Sequence, residues 1–263
     1  LAIVCPDCRY TFTDTDATVL DDSRPVRGDN LTAGTELAGF QVEDLIGRGA
    51  MGVIYKATQL SLDRTVALKV LPSAFADNPK FVERFHEESG ALSALNHPNI
   101  VTIFERGHAG RIYFFVMEYI DGPSLRELLD GPISAEQFVH IAKGTAAALD
   151  YAHERGVVHR DIKPSNIVLN SRNEVKEADF GLAGIMRQNE EERRESTAAG
   201  RPTIMGTPAY MSPEQKRDSL KVDGRSDIYS LGIVLYEALA GTKPEFPLNR
   251  LPSTMCPTAD PRL

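Results

Sequence analysis

The chain has 263 residues, 42% hydrophobic and 25% charged, an ordinary soluble globular composition with length for one large domain or two lobes. A net charge of −8 argues against a general nucleic-acid binder, and there is neither an apolar run of membrane-spanning length nor a basic-then-apolar leader. Three cysteines, Cys5, Cys8 and Cys256, are too few for a disulfide framework and fit a reducing compartment.

In chain order, Cys5-Pro-Asp-Cys8 comes first. It supplies two of the four ligands that a structural zinc needs, and no second C-x-x-C and no closely spaced pair of histidines follows. It reads either as half of a zinc ribbon or as two free thiols in a tail. Residues 9–38 are rich in Thr, Asp, Gly and Pro without a sustained period, so residues 1–38 read as a flexible tail or linker. From Phe40 the pattern changes. "FQVEDLIG", "GVIYKATQ" and "TVALKVL" are short β-branched runs separated by turn signals and predict three successive antiparallel strands. Asn78 can cap a helix whose first turn suits Pro79, and Phe81, Phe85, Leu92 and Leu95 recur along it at helical spacing. "IVTIFERG" and "RIYFFVMEY" return to strand around a turn at "HAG". Residues 39–120 thus form a small antiparallel sheet carrying one helix.

Beyond residue 121 the pattern is mainly helical, which makes the whole chain α+β. Ser124 with Glu127 and Ser134 with Gln137 fit capping boxes. The second opens a long helix whose buried face is marked by Phe138, Ile141, Ala142, Thr145, Leu149 and Ala152. "DIYSLGIVLYEALAG" is apolar almost all round, as befits a helix buried mid-domain, and Gly241 can end it. "QNEEERRESTAAGRP" reads as a solvated stretch between them.

Four constellations could carry chemistry. Gly47, Gly49 and Gly52 in "GRGAMGV" precede a strand rather than a helix. That favours a glycine hairpin whose backbone N–H groups approach phosphates over a dinucleotide-binding turn, with a plain Gly-rich turn as the alternative. Lys69 closes the apolar strand "VALK" and needs an anion, either a phosphate or Glu88 on the following helix, unless it snorkels to the surface. "HRDIKPSN" sets His159, Arg160, Asp161, Lys163 and Asn166 between two apolar runs, and "DFG" (Asp179, Phe180 and Gly181) follows. Asp161, Asn166 and Asp179 are oxygen donors of the kind that, with phosphates, suit Mg²⁺. Alone, each is more often a cap or a turn.

Taken in order with "GTPAYMSPE", the set closely resembles the protein kinase signature. The resemblance runs from about Phe40 to Pro247. Lys163 in "IKPSN" is similar to the serine/threonine branch. "RFHEESGALSALNHPNIV", "FVMEYIDGPSL" and "KVDGRSDIYSLGIVLYEALAG" resemble bacterial kinases of eukaryotic (Hanks) type.

The resemblance implies a two-lobed fold, with an N-lobe over 39–120 and a mainly helical C-lobe over 121–263 that lacks its last helices. It implies transfer of the ATP γ-phosphate to Ser or Thr hydroxyls of proteins, a catalytically silent signalling scaffold being the alternative. Mg²⁺ is the implied metal, Mn²⁺ a substitute. Asp161 would accept the hydroxyl proton and Lys163 neutralise the γ-phosphate. Asn166 and Asp179 would hold the metal, and Lys69 would grip the α- and β-phosphates, steadied by Glu88. Gly47, Gly49 and Gly52 would cover the phosphates. Ile46, Val53, Ala67 and Val168 would wall the adenine behind Met117, with backbone hydrogen bonds from Glu118 and Ile120. His159 and Phe180 would be core, and Asp227 would anchor the catalytic loop. Residues 179–214 would be an activation segment switched by phosphorylation at Thr203, or at Thr197 or Ser196, with Arg160 pairing the phosphate. Thr207 would contact Asp161 and Lys163.

Further expectations are a cytoplasmic location, an anchor beyond residue 263 being left open, no nucleic-acid partner, and a homodimer for autophosphorylation in trans. Two departures stand out. Glu177 replaces an apolar residue before "ADFG", where it must be buried at a cost, reach solvent or meet a cation. Glu214 lacks the Arg that pairs with it in relatives.

Overall fold

The computed structural model describes residues 3–4, 11–12, 31–49, 51–83, 85, 92, 94–180, 208–218 and 222–245. Two short strands, β1 (Ile3–Val4) and β2 (Thr11–Phe12), pair antiparallel. The next six strands, β3 (Glu36–Leu37), β4 (Phe40–Gly49), β5 (Gly52–Gln59), β6 (Arg64–Val70), β7 (Ile103–Ala109) and β8 (Ile112–Glu118), form one sheet in the order β3-β4-β5-β6-β8-β7. All its pairings are antiparallel.

Period-two alternation decides which face each side chain serves. Val66, Leu68 and Val70 of β6 join Tyr55, Phe114 and Val116 in one apolar cluster. Ala67 of the same strand joins Phe81, Phe85, Phe115 and Met117 in another. Both faces of β6 are covered, and its middle, residues 66–68, reads as a continuous apolar run. Lys69 falls on the Ala67 side, opposite Phe115 in the register. Residues 79–83 and 85 are helical, with the Asn78 carboxamide accepting the Lys80 N–H at 3.1 Å, as expected of that cap. Phe81, Phe85, Leu92 and Leu95 are all buried, and the Phe85 ring lies 5.0 Å from that of Phe115.

The chain packs onto this lobe from Leu31, ahead of the boundary at 39 read from the sequence. Leu31 and Leu37 are buried, and the Leu31 N–H donates to the buried Tyr55 hydroxyl at 2.9 Å. Two leucines six residues apart in a Thr- and Gly-rich stretch carry no period that would reveal this.

The second half holds α1 (Leu125–Leu128), α2 (Ala135–His153), the hairpin of β9 (Ile167–Leu169) and β10 (Val175–Glu177), α3 (Pro213–Arg217) and α4 (Gly224–Ala240). Ser124 and Glu127 form the expected capping box, and Ser134 accepts the Gln137 N–H. Along α2, Phe138, Ile141, Thr145, Ala148, Leu149 and Ala152 are buried, while Ala142 is half-buried. Gly241 ends α4 at φ 71°, in the left-handed region. Leu231, Ile233 and Val234 of α4 pack with Leu149, Ile162 and Leu169 in the main core. This helix is not buried all round, for Ile228 is 55% exposed. Among the described residues no helix is long and apolar enough to cross a membrane.

The two halves are stitched behind the site. Ile100 bridges Glu177 in parallel, and the Val101 N–H donates to the Glu177 carbonyl at 3.0 Å. Lys176 reaches across to Glu118 at 2.9 Å.

Candidate active site

A cleft of about 950 Å³ lies between the sheet and the helical half. Its sheet-side wall includes Ile46, Gly47, Gly49, Gly52, Ala67 and Lys69, and its floor includes Asp161, Lys163, Asn166, Val168 and Asp179. Met117, Glu118 and Ile120 line it where the halves join. Gly52 has φ 120°, and a Cβ there would stand 2.1 Å from the Val70 carbonyl oxygen, so the hairpin turn tolerates only glycine. At Gly47 and Gly49 a Cβ would meet nothing within 4 Å.

Val53 does not face this cleft. It belongs to the opposite cluster with Tyr55 and Ala57, and its neighbour Ile54 lines the cleft instead. A one-residue slip on a strand exchanges the faces, and the sequence assignment slipped by one at this position. The Glu118 N–H already donates to the Thr102 carbonyl at 2.9 Å, so its carbonyl is what Glu118 can offer a ligand.

The floor is built by anchoring backbone to buried carboxylate. Asp227, 1% exposed near the start of α4, accepts the N–H of His159 on Oδ2 and of Arg160 on Oδ1, each at 2.8 Å, and meets His153 Nε2 at 2.8 Å. Between these fixed peptides and β9, Asp161 is turned to the cleft with its Oδ2 2.5 Å from Lys163 Nζ. Asn166 donates its Nδ2–H to the Asp161 carbonyl at 2.9 Å, which leaves its Oδ1 as the free acceptor.

Asp179 closes the constellation. Its Oδ1 lies 2.7 Å from Lys69 Nζ, although the two residues come from opposite halves. Lys69 is 2% exposed and Asp179 12%. Burial pushes the Asp179 carboxyl upward, but Lys69, helped by Lys163, more than offsets this and holds it below the ordinary value. Asp179 is therefore an anion at neutral pH. Its φ of 64° places its backbone in the left-handed region, uncommon for a residue other than glycine.

His159 is fully buried and fills the space beneath. Its Nδ1 accepts the Asp161 N–H at 3.2 Å and its Nε2–H donates to the Ala178 carbonyl at 2.8 Å, the pattern of the neutral imidazole. Its ring packs 4.6 Å from that of Phe180, as expected of two core residues. Glu177 resolves its three alternatives by being buried beside this ring. It is 0% exposed, with Oε1 3.1 Å from His159 Nε2, and burial pushes its carboxyl up to about 7. Because the Nε2–H is aimed at Ala178, neither Glu177 oxygen has a hydrogen-bond partner among the described residues.

Glu88, Gly181, Ser196, Thr197, Thr203 and Thr207 lie outside the described residues, as do Cys5 and Cys8. Glu214 accepts a hydrogen bond from Ser226 Oγ at 2.9 Å. Sequence reading missed two residues of the site's surroundings. Gln215, 4% exposed, donates to the Arg160 carbonyl, and Lys176 pairs with Glu118. A buried polar residue just after Glu214 carries no periodic signal. Lys176, alternating with the buried Val175, looks like a solvent-facing strand position.

An oxygen-donor floor, a buried lysine above it and a glycine hairpin over both make a place for a metal-bound polyphosphate. The protein kinase domain family model matches residues 40–253. The chain is 41% identical over 211 residues to the serine/threonine-protein kinase PknB of Mycobacterium leprae (strain TN), covering 78% of this chain and 33% of the relative. It is 38% identical over 214 residues to the serine/threonine-protein kinase PrkC of Bacillus subtilis (strain 168), covering 80% and 32%. The chain thus spans about a third of the length of the curated relatives it matches. The crystal structure of the Mycobacterium tuberculosis PknI kinase domain superposes with a TM-score of 0.67 at 30% identity, over 87% of this chain and 86% of that one. Neither the family match, which begins at residue 40, nor these relatives support zinc at Cys5 and Cys8. The α+β architecture, the cleft and the sequence likeness agree, and the chain belongs to the protein kinase domain family.

Proposed function

We propose that this chain is an ATP-dependent serine/threonine protein kinase that transfers the γ-phosphoryl group of ATP to Ser and Thr hydroxyls of proteins. The observation that carries the reading is the 2.7 Å contact of Lys69 with Asp179 across a cleft that also holds Asp161, Lys163 and Asn166. Phosphoryl transfer is catalysed mainly by positioning and by charge placed where charge develops. Asp161 accepts the proton of the attacking hydroxyl and orients its oxygen. Lys163, held beside it, neutralises the transferring group. Lys69 binds the α- and β-phosphates, while Gly47, Gly49 and Gly52 give the backbone close approach to them. Ile46, Ile54, Ala67 and Val168 flank the adenine.

Mg²⁺ fits the donor set. Asp179 is kept ionised by Lys69, and Asn166 has a free amide oxygen, so these two residues would hold the ion. A bound Mg²⁺ supplies charge neutralisation at the phosphates. Autophosphorylation of the segment 179–214 at Thr203, between two copies, belongs to the same reading. The alternative of a silent scaffold is disfavoured because Lys69, Asp161 and Asp179 are all present and meet in one cleft.

The test is incubation of the full chain with γ-labelled ATP, Mg²⁺ and a generic basic protein, followed by phosphoamino-acid analysis. Label on serine and threonine in the wild type, and its loss in Asp161→Asn, is the expected result. Label that persists in Asp161→Asn, or that appears on tyrosine alone, overturns the reading.

A further inference from the structure

Arg160, the residue before the proposed base, has φ 68°. For a residue other than glycine such a conformation costs about 1–3 kcal/mol and persists only where its surroundings fix it. Here both flanking peptides are gripped. The Arg160 N–H is held by Asp227 Oδ1 at 2.8 Å. The next peptide, which leads into Asp161, is held at both polar atoms. Its N–H donates to His159 Nδ1 at 3.2 Å, and its carbonyl oxygen accepts from Gln215 Nε2 at 2.6 Å.

Gln215 is 4% exposed and belongs to α3, far along the chain from the catalytic loop. Its own N–H is fixed by Ser212 Oγ at 3.2 Å, and Ser212 in turn meets Ser226 on α4 at 3.1 Å. A carbonyl can only accept, so the amide nitrogen of Gln215 must be the atom that faces it.

We propose that Gln215 is a positioning residue for phosphoryl transfer: by holding the Arg160 carbonyl it fixes the peptide plane ahead of Asp161 and so aims the Asp161 carboxylate at the substrate hydroxyl. The proposal rests on the kinase reading above. His159 and Asp227 hold the catalytic loop from beneath, whereas Gln215 holds it from the segment 208–218, so the base is set only when that segment is in place. Without the Gln215 donor the peptide keeps only its N–H contact to His159 and can turn to relieve the positive φ of Arg160, shifting Asp161 with it. Catalysis by positioning is sensitive to such a shift, a displacement of about 1 Å being able to cost ~10²-fold.

The test compares wild type with Gln215→Met, which keeps the volume and removes the donor, and with Gln215→Glu. Each protein is treated with phosphatase first and assayed with ATP, Mg²⁺ and a Ser/Thr peptide. For Gln215→Met the expected result is a kcat lower by about 10–100-fold. Its KM for ATP and its directly measured affinity for a fluorescent ATP analogue stay within about twofold. A residue that merely stabilised the fold would not produce this split. Gln215→Glu can donate to the carbonyl only when protonated, so its kcat relative to wild type rises as pH falls. Hydrogen exchange supplies a readout that needs no turnover, with the peptide spanning 157–163 exchanging faster in Gln215→Met while strands β5 and β6 are unchanged. A Gln215→Met enzyme with wild-type kcat, or a catalytic loop with unchanged exchange, overturns the proposal. An inactive wild type whose loop still loosens in Gln215→Met overturns the kinase reading and the catalytic role, and leaves the clamp alone standing.

Discussion

Glu177 stands 3.1 Å from the ring of His159 with both residues wholly excluded from water, and among the described residues the carboxyl has no hydrogen bond to compensate its burial. A buried, unsatisfied polar group costs about 1–3 kcal/mol, more when it carries charge. The flanking elements leave it no exit, because its strand is paired with Ile167 on one side and bridged to Ile100 on the other.

Replacing this carboxyl by a hydrocarbon should therefore stabilise the protein. Glu177→Leu is expected to raise the urea midpoint, where truncation at most buried positions lowers it. The effect should depend on pH, with a sign that follows from linkage. The folded group titrates at about 7 against 4.5 ordinarily. Between those values the native protein keeps a proton that the unfolded chain has released, so stability falls as pH rises through this window. At about 1.4 kcal/mol per unit this bounds the effect at ~3 kcal/mol. The advantage of Glu177→Leu over wild type should widen from pH 5 to pH 7.5. A constant difference across that range would show that Glu177 is not the titrating group.

The glycine hairpin separates space from backbone conformation. Gly52 combines φ 120° with a Cβ position 2.1 Å from the Val70 oxygen, whereas Gly49 faces open space. Gly52→Ala must shift β5 against β6, and the conformational strain alone is about 1–3 kcal/mol. A clear fall in melting temperature is expected for Gly52→Ala and almost none for Gly49→Ala, read by calorimetry without nucleotide. Equal melting temperatures would refute the assignment.

These two glycines show how far the sequence was legible. Their spacing, Lys69 closing a strand, and Asp161, Asn166 and Asp179 in order identify the site, because each sits in a short local motif whose neighbours dictate its direction. Legibility failed where direction depends on register or on distant partners. Val53 and Ile54 are equally apolar, and only the pairing of Val53 with Val70 and of Ile54 with Lys69 decides which one meets the cleft. Gln215 acts on Arg160 across the fold, and nothing near it in sequence announces that. Leu31 and Leu37 belong to the lobe because Tyr55 and the edge of β4 receive them, which a window over residues 9–38 cannot reveal.

The Lys69–Asp179 pair makes a prediction about stability distinct from the one about activity. Removing one member of a buried pair leaves the other charge uncompensated, typically at about 3–5 kcal/mol. Lys69→Met should lower the stability of the nucleotide-free protein by something approaching that, and Asp179→Asn in the same chain should recover much of it. Asp161→Asn, whose partner Lys163 is less buried, should cost little stability while abolishing transfer. Chemical denaturation of the three variants and the wild type without ATP distinguishes these outcomes. A Lys69→Met protein as stable as wild type would mean that the pair contributes nothing to the resting fold.

Tyr210 ties the segment 208–218 to α4 by a different route. Its hydroxyl donates to Glu237 Oε2 at 2.6 Å and accepts from Arg126 at 2.8 Å, while Arg126 also meets Glu237 Oε1 at 2.9 Å. Burial and the adjacent carboxylate push the Tyr210 phenol upward, so it remains a donor across the accessible pH range. Tyr210→Phe removes that donor and leaves the mostly buried Glu237 carboxylate with Arg126 as its remaining partner in this network. A loss of about 1–3 kcal/mol in unfolding free energy follows from stranding part of a charged acceptor. Changing the acceptor as well, in Tyr210→Phe with Glu237→Gln, should cost less than the sum of the two single changes, because the neutral amide has less to lose. Strict additivity in that double-mutant cycle would show that the 2.6 Å contact is not energetically coupled.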